Sequence, residues 1–89
     1  MHEHEISHRL HEYVANSFLE EPQAAALKDS DDLLKILDSL QLLRLVVQLE
    51  PWYGIKVEDR ELTPENFGSI HKIASFVLRR LGTTASAPS

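Results

Sequence analysis

The chain has no cysteine among its 89 residues. Disulfide bonds, thiolate metal sites and cysteine nucleophiles are therefore excluded, although this absence does not fix the cellular compartment. The sequence also has no apolar run near the roughly 18 residues that a membrane-spanning helix requires. Residues 1–5 form neither the cationic nor the apolar segment of a signal peptide. We therefore expect a cytoplasmic protein that does not associate with membranes.

Basic residues are scarce as well: 9 Lys and Arg stand against 14 Asp and Glu, which gives a net charge of −5. Proteins bind nucleic acids mainly by neutralising phosphates with clustered Lys and Arg, and this chain has no basic stripe. The composition thus argues against DNA and RNA as partners. It favours proteins with basic docking surfaces, towards which an acidic domain is steered.

The length limits the chain to one hydrophobic core. A domain of this size buries only about 60–65% of its unfolded surface, which leaves little area for a deep catalytic cleft. Hydrophobic residues make up 43% of the sequence and charged residues 26%, as is typical of a folded globular domain. We therefore expect one folded domain, in which a catalytic pocket is disfavoured.

Apolar periodicity predicts an all-α protein. A first amphipathic helix covers about residues 3–19. Its inward face is formed by Ile6, Leu10, Tyr13, Val14 and Ser17. A second helix runs from residue 39 or 40 to about residue 50, because Pro51 prevents its simple continuation. Asp38 or Ser39 can cap the start of this helix.

The sequence pattern of the C-terminal half predicts one short helix and one long helix. Thr63-Pro64-Glu65 marks the start of the short helix, because proline suits the first helical position and an acid suits the first turn. The last helix is capped by Ser69 and ends at Gly82. Residues 83–89 are expected to form a flexible tail. The expected fold is a small four-helix bundle over residues 1–82, with three main helices, one short helix and a long first loop.

The long first loop, over residues 20–38, carries two apolar clusters that we expect to lie on the core. They are Ala24–Leu27, and Leu33, Leu34, Ile36 and Leu37. An ordered loop of this length is uncommon and is often functional.

The second helix is more apolar than a surface helix needs to be. Leu45 and Leu49 make a sufficient core face, which leaves Leu40, Leu43 and Val47 at positions i, i+3 and i+7 as a separate edge. One interpretation is a central helix that packs on several neighbours. The other is an apolar stripe on which a partner protein docks.

The segment Leu37-Asp38-Ser39-Leu40, at the start of this helix, resembles the attachment motif of acyl and peptidyl carrier proteins. The resemblance covers about residues 5–81, in the order and spacing of that family. The other similar segments are Asp31–Leu34 before the motif, Leu45–Glu50 in the second helix, and Asn66–Ile70 with Ile73 at the start of the last helix.

The resemblance implies a stand-alone, monomeric carrier protein of the acyl-carrier type. Ser39 would be the serine to which a phosphopantetheinyl transferase attaches 4′-phosphopantetheine from coenzyme A. The thiol of that group would then carry biosynthetic intermediates as thioesters. Asp38 is implied as the acidic neighbour that the transferase recognises. The residues that map to the family's partner-contact surface are Leu40, Leu43, Arg44 and Val47.

The partners implied by the resemblance are the transferase, an acyl- or aminoacyl-loading ligase, and downstream synthases or modifying enzymes. Physical chemistry agrees with the position of Ser39, because the start of a helix offers free N–H groups and a positive dipole end to an anionic phosphodiester. A chain without cysteine must also obtain its thiol from a prosthetic group.

The sequence departs from the family at a few positions. Ile36 stands where many members have glycine, so the turn before the motif must form without a positive φ or by a different path. Gln41 and Arg44 replace acids of many fatty-acid carriers, which favours a dedicated pathway of specialised metabolism. Trp52 and Tyr53 are interpreted as core aromatics, with a partner surface or a transient acyl site as the alternative.

The sequence also offers alternatives to a carrier protein. A serine hydrolase would pair Ser39 with His71, but the chain has no G-x-S-x-G motif and no glycine near Ser39. His4, His8 and His11 share one helical face, where a metal site is possible although a solvated face is commoner. A further alternative is an adaptor with the carrier fold that binds a partner protein without a prosthetic group.

Overall fold

The computed structural model describes residues 2–86, and all the regular structure in that part of the chain is helical. The prediction of an all-α bundle with three main helices is confirmed. In chain order the helices are α1 (Glu3–Phe18), α2 (Gln23–Ala26), α3 (Leu33–Ile36), α4 (Ser39–Tyr53), α5 (Pro64–Phe67) and α6 (Ile70–Ser86), with a one-turn 3₁₀ helix at Asp59–Glu61 before α5.

The hydrophobic core lies where α1 packs along α6. In α1, Ile6, Leu10 and Val14 are fully buried, which confirms the predicted inward face. Ser17 is exposed instead, because a hydroxyl group gains nothing from an apolar interior without a hydrogen-bond partner. The other buried apolar side chains are Leu27, Leu33, Leu37, Leu45, Val46, Leu49, Phe67, Ile70, Ile73, Ala74, Phe76 and Val77.

The connection between α1 and α4 is attached to the junction of α5 and α6 by its backbone. The Leu33 N–H donates to the Gly68 carbonyl at 2.8 Å, and the His71 N–H donates to the Asp29 carbonyl at 3.0 Å. Gly68 is required at this junction because a Cβ atom there would lie 2.4 Å from the carbonyl oxygen of Pro64. The close approach of these segments therefore sets the path of the chain towards α4.

Only part of the apolar content of this connection reaches the core. Leu27, Leu33 and Leu37 are buried as predicted, whereas Leu34 and Ile36 are 42% and 36% exposed. The prediction for those two residues is wrong because the segment is helical. Residues 33 and 37 fall on one face of the turn at i and i+4, and the residues between them point away. The alanines of α2 are likewise exposed or half-buried.

α4 continues one turn beyond its predicted end and passes through Pro51. It ends at Gly54, whose φ of 63° and ψ of 33° give the left-handed conformation common at helix ends. Trp52 and Tyr53 in this extra turn pack against the core cluster, and the Trp52 ring lies 5.1 Å from that of Tyr13. Aromatic packing on α1 thus offsets the hydrogen bond that proline cannot donate.

α6 also extends further than predicted. Its N-terminus is capped as expected, since the Ser69 hydroxyl accepts the Lys72 N–H at 3.1 Å. The helix does not end at Gly82 but continues to Ser86. Of the predicted flexible tail, residues 87–89 lie outside the described residues.

Arg80 ties α6 to the segment that precedes α5. Its guanidinium pairs with the Glu61 carboxylate and donates to the Lys56 carbonyl at 2.7 Å. Glu61 also accepts the Glu58 N–H at 2.9 Å. This backbone hydrogen bond, helped by the Arg80 pairing and opposed by burial, lowers the pKa of Glu61 below its ordinary value.

We expect the Glu61→Gln variant to lose stability less steeply in acid than the parent protein. Because the folded pKa of Glu61 is depressed, its carboxylate stabilises the fold above the unfolded pKa, and this contribution is lost as the pH falls through the folded pKa. Urea unfolding from neutral pH to well below 4.5, the ordinary glutamate pKa, measures the effect. The control is Glu65→Gln, which removes an exposed carboxylate from α5. Equal acid sensitivity of Glu61→Gln and the parent would contradict this stabilising role of the Glu61 carboxylate.

Candidate functional site

Ser39 is the first residue of α4, and its side chain is exposed. It follows two residues of extended backbone, Leu37 and Asp38. The Leu37 side chain is buried in the core, so the chain emerges from the interior immediately before Ser39. Between residues 2 and 86 the structure gives the Ser39 hydroxyl no hydrogen-bond partner. The hydroxyl is therefore accessible to a modifying enzyme.

Asp38, rather than Ser39, caps α4. The Asp38 carboxylate accepts the Gln41 N–H at 2.8 Å, and the Gln41 side-chain oxygen accepts the Asp38 N–H at 3.1 Å. This reciprocal pair is a capping box and decides between the two residues that the sequence left open. Because Asp38 caps α4, the Ser39 side chain makes no capping hydrogen bond at the helix start.

The first turn of α4 can stabilise a negative charge. In the part of the chain that the structure describes, the backbone N–H groups of Ser39 and Leu40 have no hydrogen-bond acceptor. Such N–H groups carry the positive end of the helix dipole, which attracts phosphate. Asp38 adds a negative charge beside them, but one of its oxygens is already engaged by the Gln41 N–H.

The turn before Ser39 forms without glycine. No residue other than glycine has a positive φ among residues 2–86. Instead, α3 ends at Ile36 and Leu37 takes an extended conformation with φ of −104° and ψ of 142°. The Leu37 N–H donates to the Leu33 carbonyl at 2.8 Å, which closes the turn of α3. The short helix α3 thus brings the chain to Ser39 without a residue of positive φ, so isoleucine is accommodated at position 36.

Exposed apolar side chains occur in both α3 and α4, on either side of Ser39 in the sequence. In α4, Leu40, Leu43 and Val47 are 59%, 47% and 67% exposed. Of the two interpretations of this helix, the structure therefore favours an edge separate from the core over burial against several neighbours. Leu34 and Ile36 add to the exposed apolar residues from α3. The exposure of these two residues was not predicted, although the i, i+4 spacing of Leu33 and Leu37 indicates a helical turn that turns the residues between them outwards.

The charges on α3 and α4 are mixed. Arg44 is exposed on α4, and Lys35 is exposed on α3. Asp32 caps α3 by accepting the Leu34 N–H at 3.0 Å, just as Asp38 caps α4. The two helices therefore have acids at their starts and a base within each helix, and they lack the uniformly acidic character of a strongly charged docking face.

The opposite end of α4 carries an aromatic cluster. The Arg9 guanidinium lies 4.1 Å from the centre of the Trp52 ring and 5.7 Å from that of Tyr53. Tyr13 contacts both Trp52 and Phe18 edge to face. Burial raises the pKa of Tyr53, while the nearby Arg9 opposes the rise. These contacts join α1 to the end of α4, as expected for core aromatics.

The histidines of α1 make separate pairs. His8 lies 3.9 Å from the Glu12 carboxylate, and His11 Nδ1 lies 3.1 Å from Asp29. His4 is exposed on the same helix. Across residues 2–86, the structure brings together no group of three or more His, Asp or Glu side chains that could hold a metal ion.

His71 does not lie with Ser39. Its Nδ1 atom is 3.9 Å from the Glu3 carboxylate, and its backbone N–H binds the Asp29 carbonyl. No hydrogen bond joins His71 and Ser39 in the described part of the chain. The serine–histidine pairing of a hydrolase is therefore not formed.

Comparison of the chain with protein-family models and with curated proteins gave no match. Among the helices described over residues 2–86, none combines the length and the apolar character needed to span a membrane.

We expect Leu43→Ala and Leu45→Ala to differ sharply in stability, although the two positions are close together on α4. Leu45 is fully buried, so its truncation should lower the free energy of unfolding by about 2–5 kcal/mol. Leu43 is 47% exposed, and its truncation should change that free energy by about 0.5 kcal/mol or less. Urea denaturation of both variants measures the difference. Similar losses would place Leu43 in the core.

Proposed function

We propose that this chain is a stand-alone carrier protein modified with 4′-phosphopantetheine at Ser39. The observation that carries the proposal is the exposed Ser39 hydroxyl at the start of α4, next to a capping aspartate. The carrier-like motif over residues 37–40 supplies the chemical identity of the group. In this proposal the chain holds an acyl or aminoacyl intermediate for other enzymes and performs no chemistry itself.

The residues around Ser39 fit such a group. Its hydroxyl is accessible, and the unpaired N–H groups of Ser39 and Leu40 face the anionic linkage that attachment would create. The bound group would supply a thiol that forms thioesters, and this chain has no cysteine to do so. The buried Leu37 anchors the backbone one residue before the cap, which keeps the attachment point at a fixed place on the surface.

Asp38 has two tasks in this proposal. Its carboxylate holds the first turn of α4 through the Gln41 N–H. The same exposed carboxylate would be the acid that a phosphopantetheinyl transferase recognises beside Ser39. Because the cap engages only one carboxylate oxygen of this exposed residue, the second oxygen would remain available to the transferase.

Partner enzymes would bind the exposed edge of α4. Leu40, Leu43 and Val47 offer apolar contacts there, and Arg44 adds a positive charge. The partners would be the transferase, an acyl- or aminoacyl-loading ligase and downstream synthases. Because Gln41 and Arg44 make this helix less acidic, we propose a dedicated pathway of specialised metabolism over housekeeping fatty-acid synthesis.

Intact-mass spectrometry tests the attachment. Incubation with a broad-specificity phosphopantetheinyl transferase and coenzyme A should add the mass of one phosphopantetheine group, and Ser39→Ala should abolish this addition. Ser30→Ala, at an exposed serine of the first connection, is the matched control and should be modified like the parent. An unchanged mass with several transferases would refute the carrier proposal and favour an adaptor without a prosthetic group.

The two tasks of Asp38 can be separated by comparing two variants. Asp38→Asn keeps an oxygen that can cap α4 but removes the charge, so it should reduce the rate of attachment by about tenfold while leaving stability nearly unchanged. Asp38→Ala should additionally lower the free energy of unfolding by about 1 kcal/mol. Attachment rates and urea unfolding measure the two effects. Full attachment rates in Asp38→Asn would limit Asp38 to the capping role.

If α4 is the docking helix, Leu43→Asp or Val47→Asp should keep the helical fold. Each should lower the efficiency of transfer from the loading enzyme by an amount equivalent to about 1 kcal/mol or more of interaction free energy. Circular dichroism and the loading rate at limiting carrier concentration measure the two properties. Ser17→Asp adds the same charge at an exposed position of α1 and should load normally. Unimpaired loading of both α4 variants would exclude this edge as the contact surface.

A further inference from the structure

A cavity of about 390 Å³ opens between the end of α1, α2 and the segment that leads to α4. Its volume falls near the lower end of the range of roughly 300–1,000 Å³ for small-molecule pockets, which suits a group the size of an amino acid. The lining residues are Leu19, Gln23, Ala26, Leu27, Asp31 and Ile36. The cavity is distinct from the apolar edge of α4.

Most of the cavity wall is apolar. Leu27 is only 6% exposed and belongs to the core cluster, so it forms a fixed part of the wall. Leu19 packs against the same cluster, while Ile36 is 36% exposed and lies towards solvent. Apolar walls with a few polar groups are typical of sites that hold small molecules.

The cavity lies within reach of Ser39. Ile36 belongs to its lining and precedes Ser39 by three residues, so their Cα atoms are separated by at most about 11 Å. Buried Leu37 and the capping box of Asp38 hold the chain between them in place. A phosphopantetheine arm is longer than this span, so a group at its end could enter the cavity.

The polar lining favours a cationic group. Lys28 N–H donates to Asp31 Oδ2 at 2.9 Å, and Asp31 N–H donates to the Lys28 carbonyl at 3.1 Å, so Asp31 is held in a turn. A carboxylate has about four lone-pair sites. Asp31 can therefore still accept N–H groups from an ammonium, whereas a simple acyl chain would offer it no donor. The Gln23 side chain adds a neutral polar group to the lining.

We propose that this cavity holds the aminoacyl group carried on Ser39. The apolar side chain of that group would pack against Leu27 and Ile36, and its α-ammonium would donate hydrogen bonds to the Asp31 carboxylate. The inference rests on the proposed carrier function and names its cargo class: aminoacyl groups with apolar side chains. In this proposal the first connection selects the cargo, and a different surface, the outer edge of α4, binds the partner enzymes.

The test compares two cargoes that differ only in the amino group. The protein is loaded at Ser39 from coenzyme A analogues that carry a leucyl or a 4-methylpentanoyl group through a stable amide. Backbone amide NMR spectra are then compared with those of the protein that carries the bare arm. Leucyl should shift the signals of Leu19, Ala26 and Leu27, and it should occupy the cavity with an equilibrium constant about tenfold greater than 4-methylpentanoyl, as expected for one hydrogen bond to a charged group.

Three variants sharpen the test. Asp31→Asn keeps an oxygen for the Lys28 N–H and should remove the preference for leucyl. Ala26→Phe should fill the cavity and remove the shifts of both cargoes. Ala25→Phe alters the neighbouring exposed alanine, which does not line the cavity, and should behave like the parent.

Each failure has a distinct meaning. If Ser39 accepts no phosphopantetheine group, both the carrier function and this inference are overturned. If Ser39 is loaded but leucyl leaves the lining signals unshifted, the cavity inference is overturned while the carrier function stands. If both cargoes shift the signals equally and Asp31→Asn changes nothing, the assignment to aminoacyl groups is overturned.

Discussion

Burial of Leu33 and Leu37 is the constraint that positions the start of α4. Each fully buried leucine contributes about 1.5–3 kcal/mol, and both side chains reach the core from one short helical turn. The Leu33 N–H bond to the Gly68 carbonyl holds that turn against the junction of α5 and α6. The chain then has to leave the interior at Asp38, so the following serine emerges at the surface as the first residue of a capped helix.

α4 is fixed at both ends, which leaves one side of it available for contacts. The capping box of Asp38 holds its start, and the packing of Trp52 on Tyr13 holds its end. Leu45 and Leu49 bury the inner face between these two points. The outer edge can therefore remain exposed without loss of the fold, because the buried inner face and the contacts at both ends stabilise the helix. In the proposed carrier this rigid edge would meet partner enzymes.

The first connection would have a complementary task. Its backbone is held by hydrogen bonds to Gly68 and His71, yet it keeps an open cavity beside α2. Ser39 follows Ile36 of the cavity lining by three residues and directly precedes Leu40 of the outer edge of α4. In the proposed carrier, a tethered cargo could therefore be held in the cavity while an enzyme contacts the edge of α4.

The sequence by itself determined the helical class and the cap of α6, because these depend on local spacing. The periodicity of α1 and the capping role of Ser69 follow from residues within a few turns of one another. The choice between Asp38 and Ser39 as the cap of α4, and the exposure of Leu43 and Val47, were left open by the sequence and were decided by the structure. The roles proposed for Ser39 and the α4 edge came from motif resemblance and remain predictions. Only the tertiary structure decided the passage of α4 through Pro51, the outward direction of Leu34 and the cavity beside α2. Each of these depends on contacts between residues distant in the chain, such as Trp52 with Tyr13, and local periodicity carries no information about such contacts.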